Sequence, residues 1–183
     1  MALTFPENLR TESIALRKFR HEDATWVAIA CNRPEMARFI PVLPSPYQAA
    51  DADAFVRYAR EAWDRGSSAP FAITAADGEP LGAIELHFHP VDRGLAAVGY
   101  WLRPEGRRRG AATAALRLVS SWAFDTLHIE RVSLITDPAN DASQRVAERA
   151  GFQREGLLRA WHTTRSGRRD SVMFSLLPSD LSA

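Results

Sequence analysis

Cysteine occurs once in these 183 residues, as Cys31. A single thiol excludes an intrachain disulfide and a cysteine-rich metal site, and points to a reducing compartment. Long apolar runs are missing too. None approaches the roughly 20 residues that a membrane-spanning helix needs, and residues 1–7 do not read as a secretory leader. The expectation is a cytoplasmic protein with no membrane partner. Excess charge is also absent: 23 basic against 22 acidic residues leave +1. That argues against nucleic acid as a partner, because such domains are usually strongly basic or carry a basic stripe with interleaved aromatics. The glycines and the one lysine, Lys18, do not form a nucleotide signature. A Gly-Lys-Ser/Thr loop is missing, and so is any run of three spaced glycines after a strand.

What is present fits one soluble domain. Hydrophobic residues make up 46% and charged residues 25%, ordinary for a globular protein, and the length suits a single core. Residues 13–19 alternate like a strand, and residues 22–31 read as a helix with acidic residues in its first turn. Ser45-Pro46-Tyr47-Gln48 has the form of a capping box with proline at the first helical position. The helix it opens is expected to run to about residue 64, with Phe55, Tyr58, Ala59 and Ala62 on one face. The segment 32–44 between the two helices reads as a loop stiffened by Pro34, Pro41 and Pro44, with Met36, Phe39 and Ile40 as an apolar wall.

Further along, residues 71–74 and 81–88 are apolar runs joined by Asp77-Gly78, a hairpin signal. Asp92-Arg93-Gly94 is a second turn before a strand over 96–102. An alanine-rich helix follows over 111–124, then a strand over 131–136. Asp141 and Gln144 suggest a capping box for a helix over 141–150, which Gly151 ends in the left-handed position. Strands over 157–164 and 171–176 flank Ser166-Gly167. The order β α α β β β α β α β β is that of one α+β domain with a mixed, mostly antiparallel sheet.

The junction of the strand over 96–102 with the alanine-rich helix is the richest segment. Between them lie Arg107, Arg108, Arg109, Gly110, Ala111, Ala112 and Thr113. The first amides of a helix lack internal partners and carry partial positive charge, so they hold anions. Small side chains at Gly110, Ala111 and Ala112 let a phosphate approach the backbone. A solvated basic loop would share this pattern.

The ordered series that follows is more specific. Gly99-Tyr-Trp-Leu102 precedes Arg107-x-x-Gly-x-Ala-Thr113, then come Ala115-Leu-Arg-Leu118 and Trp122-Ala-Phe124. Next are Arg131-Val132 and the run Asn140-x-Ala-Ser-x-Arg-Val-Ala-Glu-x-x-Gly-Phe152, then Glu155-Gly156 and Arg169-Asp-Ser-Val172. The series resembles the GNAT superfamily of acetyl-CoA-dependent N-acetyltransferases, in particular its Rim-type branch, which acetylates N-terminal amines of ribosomal proteins and includes relatives acting on other amines. The resemblance covers roughly residues 10–177 and makes residues 1–183 a single acetyltransferase domain.

That resemblance implies a sheet splayed between the strands at 96–102 and 131–136, with helices on both faces and acetyl-CoA in the gap. It implies that the backbone of Trp101, Leu102 and Arg103 pairs with pantetheine, and that the amides of Arg108, Arg109, Gly110, Ala111, Ala112 and Thr113 hold the pyrophosphate, Arg107 or Arg108 adding charge. It also implies that Asn140 contacts the coenzyme and that Ser143 sits near the sulfur. Two departures stand out. Many relatives have glycine where this chain has Arg108. Many also carry, in the helix over 141–150, a tyrosine that serves as acid for the leaving thiolate; this helix has none, and Ser143 inherits the role.

The reaction that the resemblance implies is attack of a neutral amine on a thioester, which needs both reactants held together and a route for the amine's proton. At pH 7 an α-amine is roughly a tenth neutral, a lysine about 1 in 2,500, which favours an N-terminal or small-molecule amine. Candidate bases lie on the strand over 81–88. Glu85, His87 and His89 share one face there and Ile84, Leu86 and Phe88 the other. Glu85 is the expected base, with His87 as substitute; a merely solvated strand face has the same alternation. His87 and His89 have no convincingly spaced third ligand, so no metal is expected. Tyr100 reads as core or as acceptor-pocket lining, and Asp170 as a salt-bridge partner of Arg168 or Arg169 or as part of the acceptor site. Trp161 or His162 is expected to border its entrance. Dimers are common among similar proteins, so a homodimer is open. The competing expectation on the same fold is a non-catalytic acyl-CoA-binding protein or sensor.

Overall fold

A computed structural model describes residues 6, 9–40, 43–164 and 167–181. Seven strands form one sheet: β1 (Ile14–Arg17), β2 (Ser68–Ala75), β3 (Pro80–Phe88), β4 (Leu95–Leu102), β5 (Arg131–Thr136), β6 (Gln153–Thr164) and β7 (Gly167–Leu176), in the spatial order β1-β2-β3-β4-β5-β7-β6. Every pairing is antiparallel except β4 with β5. That parallel ladder is short. Leu95, Ala96 and Ala97 pair with Arg131, Val132 and Ser133, and the pairing stops there. Beyond it, Val98 to Leu102 on one side and Leu134 to Thr136 on the other run without each other, so the sheet splays where the resemblance places it.

Among the described residues five α-helices cover the sheet: α1 (Asp23–Cys31), α2 (Pro34–Phe39), α3 (Ala49–Arg65), α4 (Ala111–Leu127) and α5 (Asp141–Ala150). Strand alternation divides the apolar residues between two cores. On one face Phe71, Ile73, Ile84, Leu86 and Val98 pack with Leu116 and Val119 of α4 and Ala147 of α5. On the other, Ala72 and Ala83 meet Val27 of α1 and Ala52, Val56 and Ala59 of α3. Between β3 and β4 the backbones come very close at Gly82. A side chain there would collide with the Trp101 carbonyl oxygen and reach 2.8 Å from Leu102 Cα.

The central elements fall where the residues place them, and β5 and α5 have the expected bounds. The differences are informative. The 32–44 segment contains a helix, α2, begun by Pro34 at its first position and anchored by buried Met36. A six-residue helix is marginal alone, and packing rather than local preference stabilises it; Pro41 lies outside the described residues. Helix α3 starts later than the Ser45 signal suggests. Gln48 is its cap, and the Gln48 N–H donates to Asp51 Oδ2 at 2.8 Å. A carboxylate is a stronger acceptor for a cap amide than a glutamine side chain, which favours the Gln48–Asp51 box over one from Ser45 to Gln48. Meanwhile the Tyr47 N–H donates to Asn32 Oδ1 at 3.2 Å and its ring is buried.

Helix α5 is capped by Asn140, not by an Asp141–Gln144 box: Asn140 Oδ1 accepts from the Ser143 N–H at 3.1 Å, and Gln144 Nε2 donates to the Pro138 carbonyl. Asparagine is among the strongest N-caps, so the cap lies one residue before the expected one while the helix keeps its bounds. Strand β6 is longer than expected and almost wholly exposed, with register shifts at Arg154/Gly156 and Leu158/His162. An exposed, bulged edge strand carries no alternation to read. Ser166 lies outside the described residues.

Candidate functional site

The splay opens a cavity of about 1350 Å³ that runs from the turn before α4 to the helices on the opposite face. One end of it is made by the chain between β4 and α4. Gly110 takes φ +75° and Arg108 φ +60°, so the turn is left-handed at two positions. Gly110 caps α4 with no side-chain acceptor, and no acidic residue stands in the first turn. The first intrahelical amide bond is from Ala114 to the Gly110 carbonyl. The amides of Ala111, Ala112 and Thr113 are therefore left at the cavity, beside small side chains, in the positive end of a 17-residue helix. That arrangement fits an anion.

The edge of β4 supplies the next feature. The Arg103 N–H donates to the Leu81 carbonyl on the β3 side, while the Gly94 carbonyl accepts from Glu130 and Arg131 on the β5 side. Backbone groups of successive residues alternate in direction, so those of Tyr100 and Leu102 face the open gap, whereas those of Trp101 and Arg103 face β3. The strand edge along the gap thus centres on Tyr100 and Leu102.

The three arginines of the turn part company. Arg107 folds back, donating to the Leu102 carbonyl at 3.2 and 3.3 Å and lying 3.9 Å from Glu35 of α2. Arg109 points off the cavity toward Glu79 at 3.8 Å. Arg108 lines the cavity and has no ion-pair partner among the described residues. The Arg103 side chain bonds the Pro80 carbonyl at 2.7 Å, away from the gap.

The two faces of the sheet bring different chemistry to the middle of the cavity. On the α1–α3 face Glu85 stands opposite Gly99 in the ladder. Tyr58 of α3 donates to Glu85 Oε1 at 2.6 Å, and His87 Nδ1 is 3.4 Å from the same oxygen. The Glu85 side chain is 16% exposed, so the carboxylate is neither solvated freely nor sealed. Burial, together with the Glu85 hydrogen bond, pushes the Tyr58 phenol above its ordinary pKa. On the α4–α5 face the Tyr100 hydroxyl donates to Ser143 Oγ at 3.1 Å, and burial pushes the Tyr100 phenol up as well.

His89 leaves this group. It lies past the end of β3, and its Nδ1 accepts from the Val91 and Asp92 amides at 3.4 and 2.9 Å, closing the turn. Among the described residues no three histidine, cysteine, aspartate or glutamate side chains gather as a metal group. Asn140 lines the cavity while its side chain caps α5.

Around Glu85 the wall is apolar, with Met36, Phe39 and Ile40 from α2 and its end, Phe55 from α3 and Trp101 from β4. Trp26 holds Trp101 in place at 5.6 Å between ring centroids, and Trp26 is itself held by its indole bond to Asp23 at 2.8 Å. His162 borders the cavity; Trp161 is 52% exposed outside it. Asp170 does not pair with either neighbouring arginine. It accepts from the Ala160 N–H at 2.7 Å, which ties down the β6 bulge where Ala160 has φ +50°, while Arg169 lies 3.7 Å from Asp137.

Two partners escape a reading of the sequence. Tyr58 looks like one more residue on the packing face of α3, and Tyr100 reads as core or as acceptor-pocket lining, neither of which names Ser143 as its partner. Only the docking of α3 and α5 on the sheet brings them to Glu85 and Ser143.

Residues 13–153 match the acetyltransferase (GNAT) domain family. The Bacillus subtilis (strain 168) protein named "Putative ribosomal N-acetyltransferase YdaF" is 30% identical over 171 residues, covering 91% of this chain and 92% of that protein. The spermidine N(1)-acetyltransferase of Escherichia coli (strain K12) is 27% identical over 149 residues, 80% of this chain and 76% of its own. In fold, the chain is similar to Mycobacterium smegmatis RimJ in complex with CoA-disulfide, with a TM-score of 0.84 at 22% identity over 93% of this chain and 84% of that one.

Proposed function

This chain belongs to the GNAT family of acetyltransferases, and from that premise we propose how its cleft transfers an acetyl group from acetyl-CoA to an amine. The observation that carries the reading is the splay itself. It leaves one strand edge unpaired beside a helix N-terminus without acidic residues, with Glu85 on one face and Ser143 on the other. The amides from Arg108 to Thr113 hold the pyrophosphate, and Arg108 adds its charge. The strand edge at Tyr100 and Leu102 pairs with pantetheine, Asn140 closes the side of the gap, and Ser143 faces the sulfur. Acetyl-CoA supplies the activated acyl group, and the chain supplies alignment and a proton route.

On the acceptor side Glu85 takes the proton of the attacking amine. Tyr58 and His87 hold its carboxylate in one orientation, so the oxygen facing the gap is preorganised. The acceptor wall is mostly apolar, and the Glu35 carboxylate in it is already beside Arg107. A polycation such as spermidine needs several carboxylates along its length. Of the other carboxylates lining the cavity, Asp137 lies beside Arg169 and Asp170 accepts from the Ala160 N–H. Glu85, with no arginine beside it, within an apolar wall suits a single amine on an apolar body, which supports an N-terminal α-amine or a small monoamine.

The test has two parts. Acetyl-CoA at about 100 times its dissociation constant raises stability by roughly 2.7 kcal/mol, read as a thermal shift. Free thiol then appears when peptides of varied first residue, or small amines, are added. Glu85→Gln is expected to lower kcat about 100-fold while leaving that thermal shift in place. Binding without thiol release for any amine would make the protein an acyl-CoA sensor; no thermal shift would overturn both readings.

A further inference from the structure

We propose that Tyr100 is a positioning residue for acetyl transfer: its phenol fixes the Ser143 hydroxyl so that the serine's own hydrogen turns toward the sulfur of the donor. The inference rests on the functional reading above and adds to it a residue from another element.

A serine hydroxyl has one hydrogen to give and two lone pairs to receive with. Ser143 Oγ receives from Tyr100 Oη at 3.1 Å. Its own hydrogen has no acceptor among the described residues, although a serine in a helix commonly bonds back to the carbonyl four residues earlier. Ser143 stands in the first turn of α5, where that preceding residue, Ala139, lies before the helix. The side chain lines the cavity instead.

Both ends of the pair are held. The Ser143 N–H is bound by the Asn140 cap, and the Tyr100 ring packs against the core between the sheet and α4. Tyr100 follows Gly99, the residue opposite Glu85. The base and the serine therefore approach the gap from opposite faces of the sheet, which suits one group acting on the amine and the other on the leaving sulfur. Helix α5 has no tyrosine; the phenol arrives from β4, 43 residues away in the chain.

In the transfer step the amine nitrogen bonds to the carbonyl carbon, the carbon–sulfur bond breaks, and sulfur leaves with the electron pair. Glu85 takes the amine's proton and passes it to solvent, and the thiolate is protonated from solvent. Ser143 and Tyr100 keep their protons and contribute hydrogen bonds, each polarising the next. Burial holds the Tyr100 phenol above its ordinary pKa, so it stays protonated and remains a donor. Full transfer from a phenol to a thiolate of pKa about 8.5 would run uphill.

The experiment compares thiol release by the wild type, Tyr100→Phe, Ser143→Ala and the double variant, with acetyl-CoA affinity by calorimetry. Tyr100→Phe keeps the ring and removes only the hydroxyl. It is expected to lower kcat about tenfold, with acetyl-CoA affinity within about twofold, equivalent to one hydrogen bond made more strongly in the transition state. Ser143→Ala loses at least as much, and the double variant matches Ser143→Ala, because the phenol has nothing left to act through. Wild-type kcat in Tyr100→Phe, or single losses that multiply in the double variant, would overturn the proposal. A wild-type protein that binds acetyl-CoA yet releases no thiol would overturn the functional reading instead.

Discussion

Arg108 adopts φ +60° in a turn where only glycine is at ease. The family resemblance leads one to expect glycine there, and this backbone is the physical reason. Keeping an arginine in this conformation costs about 1 kcal/mol, and the guanidinium lines the cavity without an ion-pair partner among the described residues. Arg108→Gly is therefore expected to raise the melting temperature of the free protein slightly and to weaken acetyl-CoA binding several-fold. That loss shrinks in high salt, because a charge contact to pyrophosphate is screened. Calorimetry at two salt concentrations checks it. An unchanged affinity would leave the backbone amides as the whole of the anion site. The sequence marks Arg108 as unusual, whereas its conformation is a property of the folded turn.

In the proposed reaction strands β3 and β4 carry the acceptor-side carboxylate and the donor-side edge, so their spacing would set the distance between its two halves. Gly82 is what lets them close up beside the gap: any β-carbon there meets the Trp101 carbonyl oxygen. Gly82→Ala is expected to cost about 1–3 kcal/mol, as overpacking does, and to weaken acetyl-CoA binding by moving the edge at Leu102. Urea unfolding and ligand titration report the two effects separately, and an unchanged urea midpoint would show that the strands can shift freely. At the same scale, α2 illustrates a limit of local reading. Its prolines advertise a loop, yet burial of Met36 and the reach of Arg107 toward its Glu35 and Met36 turn the segment into a helix that walls the acceptor site.

Two carboxylates tie separate parts of the whole molecule together, and both are held below their ordinary pKa. Burial works against ionisation of Asp23, but Arg17 grips it at 2.7 and 2.8 Å, and the Arg20 amide and Trp26 indole also donate to it. Glu155 is held at about 2, first by Arg131 and then by the Ser175 hydroxyl, a clamp from β5 to β6 across β7. A depressed folded pKa means the unfolded chain binds protons first as pH falls. The stability these groups contribute is thus complete above about pH 5 and is lost as pH drops through the folded values, toward about 2 for Glu155. Glu155 is 41% exposed, so its share stays under about 1 kcal/mol. Asp23→Asn is expected to cost about 2 kcal/mol at pH 7 and to flatten the acid limb of the melting profile. An acid limb identical to wild type would remove Asp23 from that role.

Of the proposed donor half, the strand, turn and helix were legible in the chain because they are contiguous, whereas the open edge at Tyr100 and Leu102, rather than at Trp101 and Arg103, was not. A strand, a left-handed turn and a helix N-terminus follow one another within residues 95–127, and anion binding by amides depends on local backbone geometry alone. The ordered series from Gly99 to Val172 carries the family and the splayed sheet in the same way. The acceptor half was legible only in its residue types. Glu85 was marked by strand alternation, but its partner Tyr58 lies 27 residues earlier, and the Tyr100–Ser143 bond joins positions 43 apart. Neither pair has a local signature. Each forms because burying apolar faces against one twisted sheet fixes where the helices sit, and hydrogen bonds between their side chains exist only once that packing has chosen the distances.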